Sequence, residues 1–408
     1  MNSTIPKYLP KRNDIFINNK YEIIKNYNSN DDFHIVLYYI NQNKCKVIIR
    51  RLDDEGGWSL NLCISIYDNN NNKQNISLGS STNNEKIICI HTNIILNPIT
   101  NINQKIPRVI IQTSKNNNYN SLLHYNSVQT FLELNPEYEY YFFQDSDCRE
   151  FIKNNFDSSI LDTYDMLYPG AYKADLFRYC YIYIKGGCYF DNKYILRTPL
   201  RNIIKPEFTE TYCKDTKDDL MFNAIIMGIP GLKEIKDSID NVVLNVCNNH
   251  YGTTSLEPTG PKLFNKYTHN KNVLLKHIVG GSYYTDSKVI IKKNNKLFAN
   301  THYKGYYFNP SFNRERYEEL FQKKEIYYKN IRKVNKYTIL IYPNNVKDTF
   351  DFEIIKDEQL KIIRTDCDSG WGLNLKIKII NNESHSENTL FIGNKDSNRC
   401  LIELQLKE

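Results

Sequence analysis

The sequence predicts an α/β domain over residues 103–325, flanked by two small related all-β modules at residues 1–100 and 337–408. Two observations lead there. The ends of the chain repeat each other with the two-residue period of half-buried strands, and the segment between them alternates short apolar runs with helical spacing.

The repeat comes first. Gly57-Trp58-Ser59-Leu60-Asn61-Leu62-Cys63-Ile64-Ser65-Ile66 is matched by Gly370-Trp371-Gly372-Leu373-Asn374-Leu375-Lys376-Ile377-Lys378-Ile379. The same offset pairs Arg51 with Arg364 and Asp53 with Asp366, and Trp58 and Trp371 are the two tryptophans of the chain. Trp58, Leu60, Leu62, Ile64 and Ile66 fall on one face of a strand, and Ser59, Asn61, Cys63 and Ser65 on the other. Asp53, Asp54 and Gly56 supply a turn before it, and Asn-rich turns follow at residues 69–72 and 381–382. Two readings of the tryptophans stand: core residues that start the buried face, or exposed rings that stack on sugars. The alternation favours the core.

Between the modules, residues 106–111 read as a short buried strand. Residues 121–134 have helical spacing, stopped near Asn135-Pro136. A second strand fits 138–143 and a polar helix 145–155. A longer helix at 170–185 is ended by Gly186-Gly187, and a strand at 188–190 runs into Asp191. Beyond it come a strand near 222–227, a helix near 232–247, β-like stretches near 288–298 and a last helix at 314–322. Strands alternating with helices imply a layered domain with a mainly parallel sheet.

Bulk properties narrow the function classes. At 408 residues the chain has room for two or three domains and for cores that need no staples. The 32 Tyr and 19 Phe, beside many Asn, Lys and Ile, suggest an AT-rich genome, as in some large DNA viruses and some protists. Net charge is only +7, and the densest basic stretch, 323–336, reads as a solvated helix end and linker. Neither a clustered basic face nor a recognisable nucleic-acid module is present, so no nucleic acid is expected as partner. None of the ten cysteines forms a C-x-x-C pair, which argues against zinc. Their scatter through apolar stretches suits free thiols in a reducing compartment. Residues 1–21 lack a run of signal-peptide length, and no window approaches the ~20 apolar residues of a membrane span. The expectation is a cytoplasmic protein, in the host cytoplasm if viral, with no integral membrane segment.

The informative stretch is Lys173-Ala174-Asp175-Leu176-Phe177-Arg178-Tyr179, followed by Gly186-Gly187-Cys188-Tyr189-Phe190-Asp191-Asn192-Lys193. Asp175 and Arg178 are three apart and share a helix face. Their neighbours are apolar, and two charges on such a helix call for partners. A mutual surface salt bridge is one answer. Helix, Gly-Gly, strand and carboxylate together put Asp191 at the carboxyl end of a strand, where open α/β sheets bind ligands. Asp191 is then expected at a crevice with Asp175 and Arg178 beside it. A departing diphosphate needs a cation there.

These residues resemble glycosyltransferase family 32, the D-x-D sugar transferases that include initiating α-1,6-mannosyltransferases, α-1,4-galactosyltransferases and capsular polysaccharide transferases. Five pieces come in that family's order: Ile106-Pro107-Arg108-Val109-Ile110-Ile111-Gln112-Thr113; Asn135-Pro136-Glu137-Tyr138 to Asp145; the Lys173 to Tyr179 helix; Gly186 to Asp191; and Glu257-Pro258-Thr259-Gly260-Pro261. They cover about half the chain. The resemblance implies a GT-A fold, the Rossmann-like fold of nucleotide-diphospho-sugar transferases. It implies transfer of a hexose from a nucleotide sugar to a glycan or glycoprotein hydroxyl, with retention and without a protein nucleophile.

Roles carried over by resemblance are as follows. Gln112 and Thr113 flank the nucleotide, with Tyr189 among the donor contacts. Asp175 and Arg178 hold the donor sugar's hydroxyls and phosphate side. Asp191 sits at the metal and ribose, Thr259-Gly260-Pro261 shape the pocket, and His302 lies near the diphosphate. Asp191, Lys193, Asp175 and Arg178 form the catalytic set.

The chain also departs from the family. Where the family's second D-x-D aspartate stands, this sequence has Lys193, giving D-N-K, and an ammonium cannot ligate a cation. Three readings stay open: Lys193 itself neutralises the diphosphate, a divalent Mn or Mg binds through Asp191 and other groups, or the domain is a non-catalytic carbohydrate-binding protein on a degenerate transferase. Ile111 and Ser114 replace the family's His and Trp.

Overall fold

The computed structural model describes residues 17, 19–24, 31–53, 56–98, 103–114, 122–280, 287–301, 317–328, 330–334, 336–342, 350–355, 359–365, 369–371, 375–384, 386–392, 395–397 and 399–403. Two compact units emerge. The first comprises Met1–Phe142, Lys185–Gly231 and Thr268–Phe312, and the second Phe143–Ile184, Leu232–Tyr267 and Asn313–Glu408.

The first unit opens with six strands: β1 (Tyr21–Ile24), β2 (Phe33–Asn41), β3 (Lys44–Arg51), β4 (Gly56–Tyr67), β5 (Lys73–Asn83) and β6 (Glu85–His91). They form two antiparallel sheets, β1-β4-β5 and β2-β3-β6. The alternation in β4 takes the expected sense, with Trp58, Leu62, Ile64 and Ile66 buried. Trp58 is a core residue. Its ring meets Phe33 edge-on at 5.4 Å, and its Nε1–H donates to the Gly79 carbonyl at 2.9 Å. The Trp371 side chain lies outside the described residues.

Strands β2 and β3 are buried on both faces. Ile35, Leu37, Val47 and Ile49 pack with Trp58 and Ile64 in the core between the two small sheets. The alternate residues Val36, Tyr38 and Ile48 pack with Phe131, Phe190, Leu196 and Phe222 in the core of the large sheet.

That large sheet has nine strands: β7 (Val109–Thr113), β8 (Glu139–Phe143), β9 (Gly187–Phe190), β10 (Tyr194–Leu196), β11 (Glu210–Lys214), β12 (Met221–Gly228), β13 (Val273–Val279), β14 (Ser287–Ile291) and β15 (Leu297–Thr301). Their order is β10-β15-β14-β13-β11-β12-β9-β7-β8, and α1 (Leu122–Leu134) belongs to the same unit.

The expectation of a mainly parallel sheet is corrected here. β7 with β9 and β11 with β13 are parallel, but β9 with β12, β11 with β12, β13 with β14, β14 with β15 and β10 with β15 are antiparallel. The reason lies in the connections. Parallel neighbours need a crossover of a dozen residues or more. Residues 114–186 supply one and 215–272 the other, whereas β11 and β12, β13 and β14, and β14 and β15 are each separated by seven residues or fewer.

Two glycines let β9 lie against its neighbours. Gly186 and Gly187 have φ of +66° and +102°, and a Cβ on Gly187 would stand 2.8 Å from the Val109 carbonyl oxygen.

The second unit holds α2 (Asp145–Asn155), α3 (Ser158–Met166), α4 (Gly170–Lys185), α5 (Lys233–Cys247), α6 (Pro261–Thr268) and α7 (Tyr317–Gln322). The sequence spacing predicts no element where α3 lies. Its start is set by Asp157, whose carboxylate accepts the Ser159 N–H at 2.9 Å.

The strands that follow are β16 (Asn330–Val334), β17 (Tyr337–Tyr342), β18 (Phe350–Ile355), β19 (Gln359–Arg364), β20 (Ser369–Trp371), β21 (Leu375–Asn381), β22 (Glu387–Ile392), β23 (Lys395–Ser397) and β24 (Arg399–Glu403). They pair as β16-β17-β21-β22, β18-β19-β24 and β20-β23. Buried Arg149 of α2 grips Asp165 of α3 with two bonds of 2.8 Å and reaches Asn382 at 3.0 Å, which ties these strands to the helices of their own unit. Among the described residues, no helix is long and apolar enough to cross a membrane.

Candidate functional site

The first group of predicted residues gathers at the end of β9. Asp191 follows the strand directly, and its backbone N–H donates to the Ala224 carbonyl at 3.0 Å. Lys193 folds back so that its Nζ lies 2.8 Å from Asp191 Oδ2, with 22% and 21% of the two side chains exposed. The other carboxylate oxygen, Oδ1, accepts the Tyr189 hydroxyl at 3.0 Å. Since that hydroxyl gives its proton to Asp191, Thr113 is the donor in the 3.2 Å contact between Thr113 Oγ1 and the Tyr189 oxygen. The Lys193 ammonium also stands 5.7 Å from the Tyr194 ring centre and 6.0 Å from that of Phe222.

Gln112 lies beneath the loop that carries Asp191. It is fully buried, its amide donates to the Asp191 carbonyl at 3.3 Å, and its amide oxygen accepts the Tyr140 hydroxyl at 2.7 Å. Gln112 and Tyr189, the latter 1% exposed, therefore support the 191–193 loop from beneath. Tyr140 was missed in the sequence. It shares a strand face with Tyr138, a two-residue spacing that marked it as inward-facing.

The second group belongs to the second unit. Asp175 and Arg178 sit on α4, both largely buried, with Arg178 Nη2 at 3.3 Å from Asp175 Oδ1. Arg178 Nε–H donates to the Ala174 carbonyl at 3.1 Å. The Thr259 hydroxyl donates to Asp175 Oδ2 at 2.8 Å, and the Thr259 carbonyl accepts the Tyr179 hydroxyl at 2.9 Å. Thr259 is wholly buried, and its hydroxyl orients Asp175. A side chain at Gly260 would stand 3.4 Å from Asp175 Oδ2, and Pro261 opens α6, where its missing N–H carries no cost.

The structure thus brings together Gln112, Thr113, Tyr189, Asp191 and Lys193 in one unit, and Asp175, Arg178, Thr259, Gly260 and Pro261 in the other. His302 lies outside the described residues.

The fit to a divalent cation was tested on the donor set. No three His, Cys, Asp or Glu side chains converge among the described residues, and Asp191 is engaged by an ammonium and a phenol. These described side chains therefore form no ready-made cage for a divalent ion.

Residues 122–209, well under half of the chain, match a family model described as the glycosyltransferase sugar-binding region containing the DXD motif. An uncharacterized glycosyltransferase of Acanthamoeba polyphaga mimivirus is 28% identical over 144 residues, which is 34% of this chain and 56% of that relative; the match thus spans little more than half the relative's length. Among solved structures, the PaToxG glycosyltransferase aligns with a TM-score of 0.31 and 14% identity, covering 40% of this chain and 68% of that one. The span from α1 through the 191–193 loop is therefore similar to the sugar-binding region of DXD-containing glycosyltransferases.

Proposed function

We propose that the chain transfers a hexose from a nucleotide sugar to a hydroxyl of a glycan or glycoprotein, with retention, on a GT-A type domain. The matched region and the mimivirus relative support glycosyl transfer as the reaction class. The observation that carries the finer reading is the Asp191–Lys193 pair at the tip of β9, partly open to water and standing where D-x-D enzymes have two carboxylates.

The bond between the anomeric carbon and the diphosphate oxygen breaks as the acceptor oxygen bonds to that carbon, and the acceptor proton passes to the leaving phosphate. Charge grows on the diphosphate, and Lys193 is the cation that meets it. Asp191 holds Lys193 until the donor arrives and then turns to the ribose. No step is routed through a metal. The ends of the chain read as two copies of one β module, since β17-β21-β22 and β18-β19-β24 follow the order of β1-β4-β5 and β2-β3-β6 at the offset of the sequence repeat.

The test is a nucleotide-sugar panel read by calorimetry and by donor hydrolysis, with chelator and with manganese. Binding and turnover in chelator, lost in Asp191→Ala of unchanged circular dichroism, is the expected result. Binding without turnover would select the carbohydrate-binding reading, and no binding of any donor would overturn both.

A further inference from the structure

We infer that the N-terminal β layer is a fixed support for the 191–193 loop, with Ser127 and Thr130 of α1 as positioning residues for Lys193. This rests on the functional reading above.

The argument starts from burial. A module free to act alone keeps one face of its sheet toward water, whereas β2 and β3 send alternate residues into two cores, one of them the core that contains Phe190, Leu196 and Phe222. The polar contacts follow the same path. Glu133, at the end of α1 and wholly buried, meets Arg50 Nη1 of β3 at 2.6 Å and His34 Nε2 of β2 at 3.2 Å. Arg50 also pairs with Glu85. Burial alone would raise the Glu133 carboxyl, but the His34 bond and the Arg50 charge outweigh it and hold it below the usual carboxylate range. The Tyr38 hydroxyl donates to the Glu133 carbonyl at 3.2 Å, and the Asn126 amide to the Leu52 carbonyl at 2.7 Å. Breaking a buried pair of this kind by removing one partner is costly, because it leaves the other charge uncompensated.

Helix α1 then passes that fixed position to the loop. The Ser127 hydroxyl donates to the Tyr194 carbonyl at 2.6 Å, and the Leu196 N–H donates to Thr130 Oγ1 at 3.0 Å. Both hydroxyls are wholly buried. Tyr194 is the residue after Lys193, so the two bonds pin the strand that directly follows the loop carrying the ammonium. A second tie runs from Arg197, just beyond β10, to Asp32 and to the Phe33 carbonyl of the N-terminal layer. Transition-state stabilisation depends on the cation already being in place, so these contacts set how well Lys193 meets a diphosphate.

The experiment uses the full chain with Thr130→Val, Thr130→Ser and Glu133→Gln, and with Ser127→Ala as the milder change should Thr130→Val fail to fold. Two readouts are taken: amide hydrogen exchange at residues 194–196, and calorimetric binding of uridine and guanosine diphosphates. Expected are exchange at least about 10-fold faster and binding at least about 5-fold weaker in Thr130→Val. Thr130→Ser should restore both, and Glu133→Gln should shift both in the same direction as Thr130→Val. Exchange and binding unchanged in Thr130→Val and Glu133→Gln would overturn the support role alone. A wild type that binds neither diphosphate would instead overturn the functional reading on which it rests.

Discussion

Replacing Lys193 by alanine removes the ammonium that sits 2.8 Å from Asp191 Oδ2, and the size of the effect can be worked from that geometry. Two unit charges in contact at about 4 Å attract by about 4 kcal/mol at the effective dielectric of about 20 found near protein surfaces. Lys193 is 22% exposed, and water screens part of this. A discount to about 2–3 kcal/mol follows. If that attraction is realised mainly as the diphosphate departs, turnover should fall about 30- to 150-fold while the donor KM changes little. The assay is initial-rate donor hydrolysis in chelator at saturating nucleotide sugar. The companion Lys193→Asp recreates the two-carboxylate spacing and should regain activity only when manganese is supplied. Unchanged turnover in Lys193→Ala, or a wild type inert until manganese is added, would refute the reasoning.

Two further outcomes are expected. Gly187→Ala drives a Cβ to 2.8 Å from the Val109 carbonyl oxygen at a φ of +102°, so the urea midpoint should drop by the equivalent of about 2–4 kcal/mol; Gly170→Ala, with nothing within 4 Å, should be neutral. Glu257 would be raised by burial, but the Thr253 N–H and hydroxyl and the Lys262 ammonium pull it down to about 2. A folded value below the unfolded one means this stabilisation is complete above the ordinary glutamate value of 4.5 and disappears as pH falls through about 2. Glu257→Gln should therefore be less stable than wild type at neutral pH, with the gap closing across that window in urea melts.

The parts of the fold legible in the sequence were local ones. Gly186-Gly187 could only end a helix and admit a close-packed strand, and the period-two run from Trp58 fixed one buried face. Asp191 at the strand end followed from the helix, its Gly-Gly stop and the short apolar run of residues 188–190. What escaped was set by distant partners. Gln112 has the residue type of a ligand contact, but a carbonyl 79 positions away and a tyrosine on the next strand take up its amide. Thr259, in the loop expected to shape the pocket, has its hydroxyl taken up by Asp175, 84 positions away. The antiparallel share of the large sheet depends on how the chain returns after each strand, which periodicity does not encode. In β2 the run Phe33-His34-Ile35-Val36-Leu37-Tyr38 was unbroken rather than alternating, and that continuity is the trace of burial on two sides.

The double-sided burial of β2 and β3 also bears on how the protein is made. On the ribosome, residues 33–51 emerge long before Phe190, Leu196 and Phe222, which complete the core that Val36, Tyr38 and Ile48 share. At about 5–20 residues per second, that apolar face waits roughly 10–30 s for its cover. During this interval the nascent chain displays a sticky, strand-rich surface, so chaperone supply and translation speed, more than the final stability, should govern the yield of soluble protein.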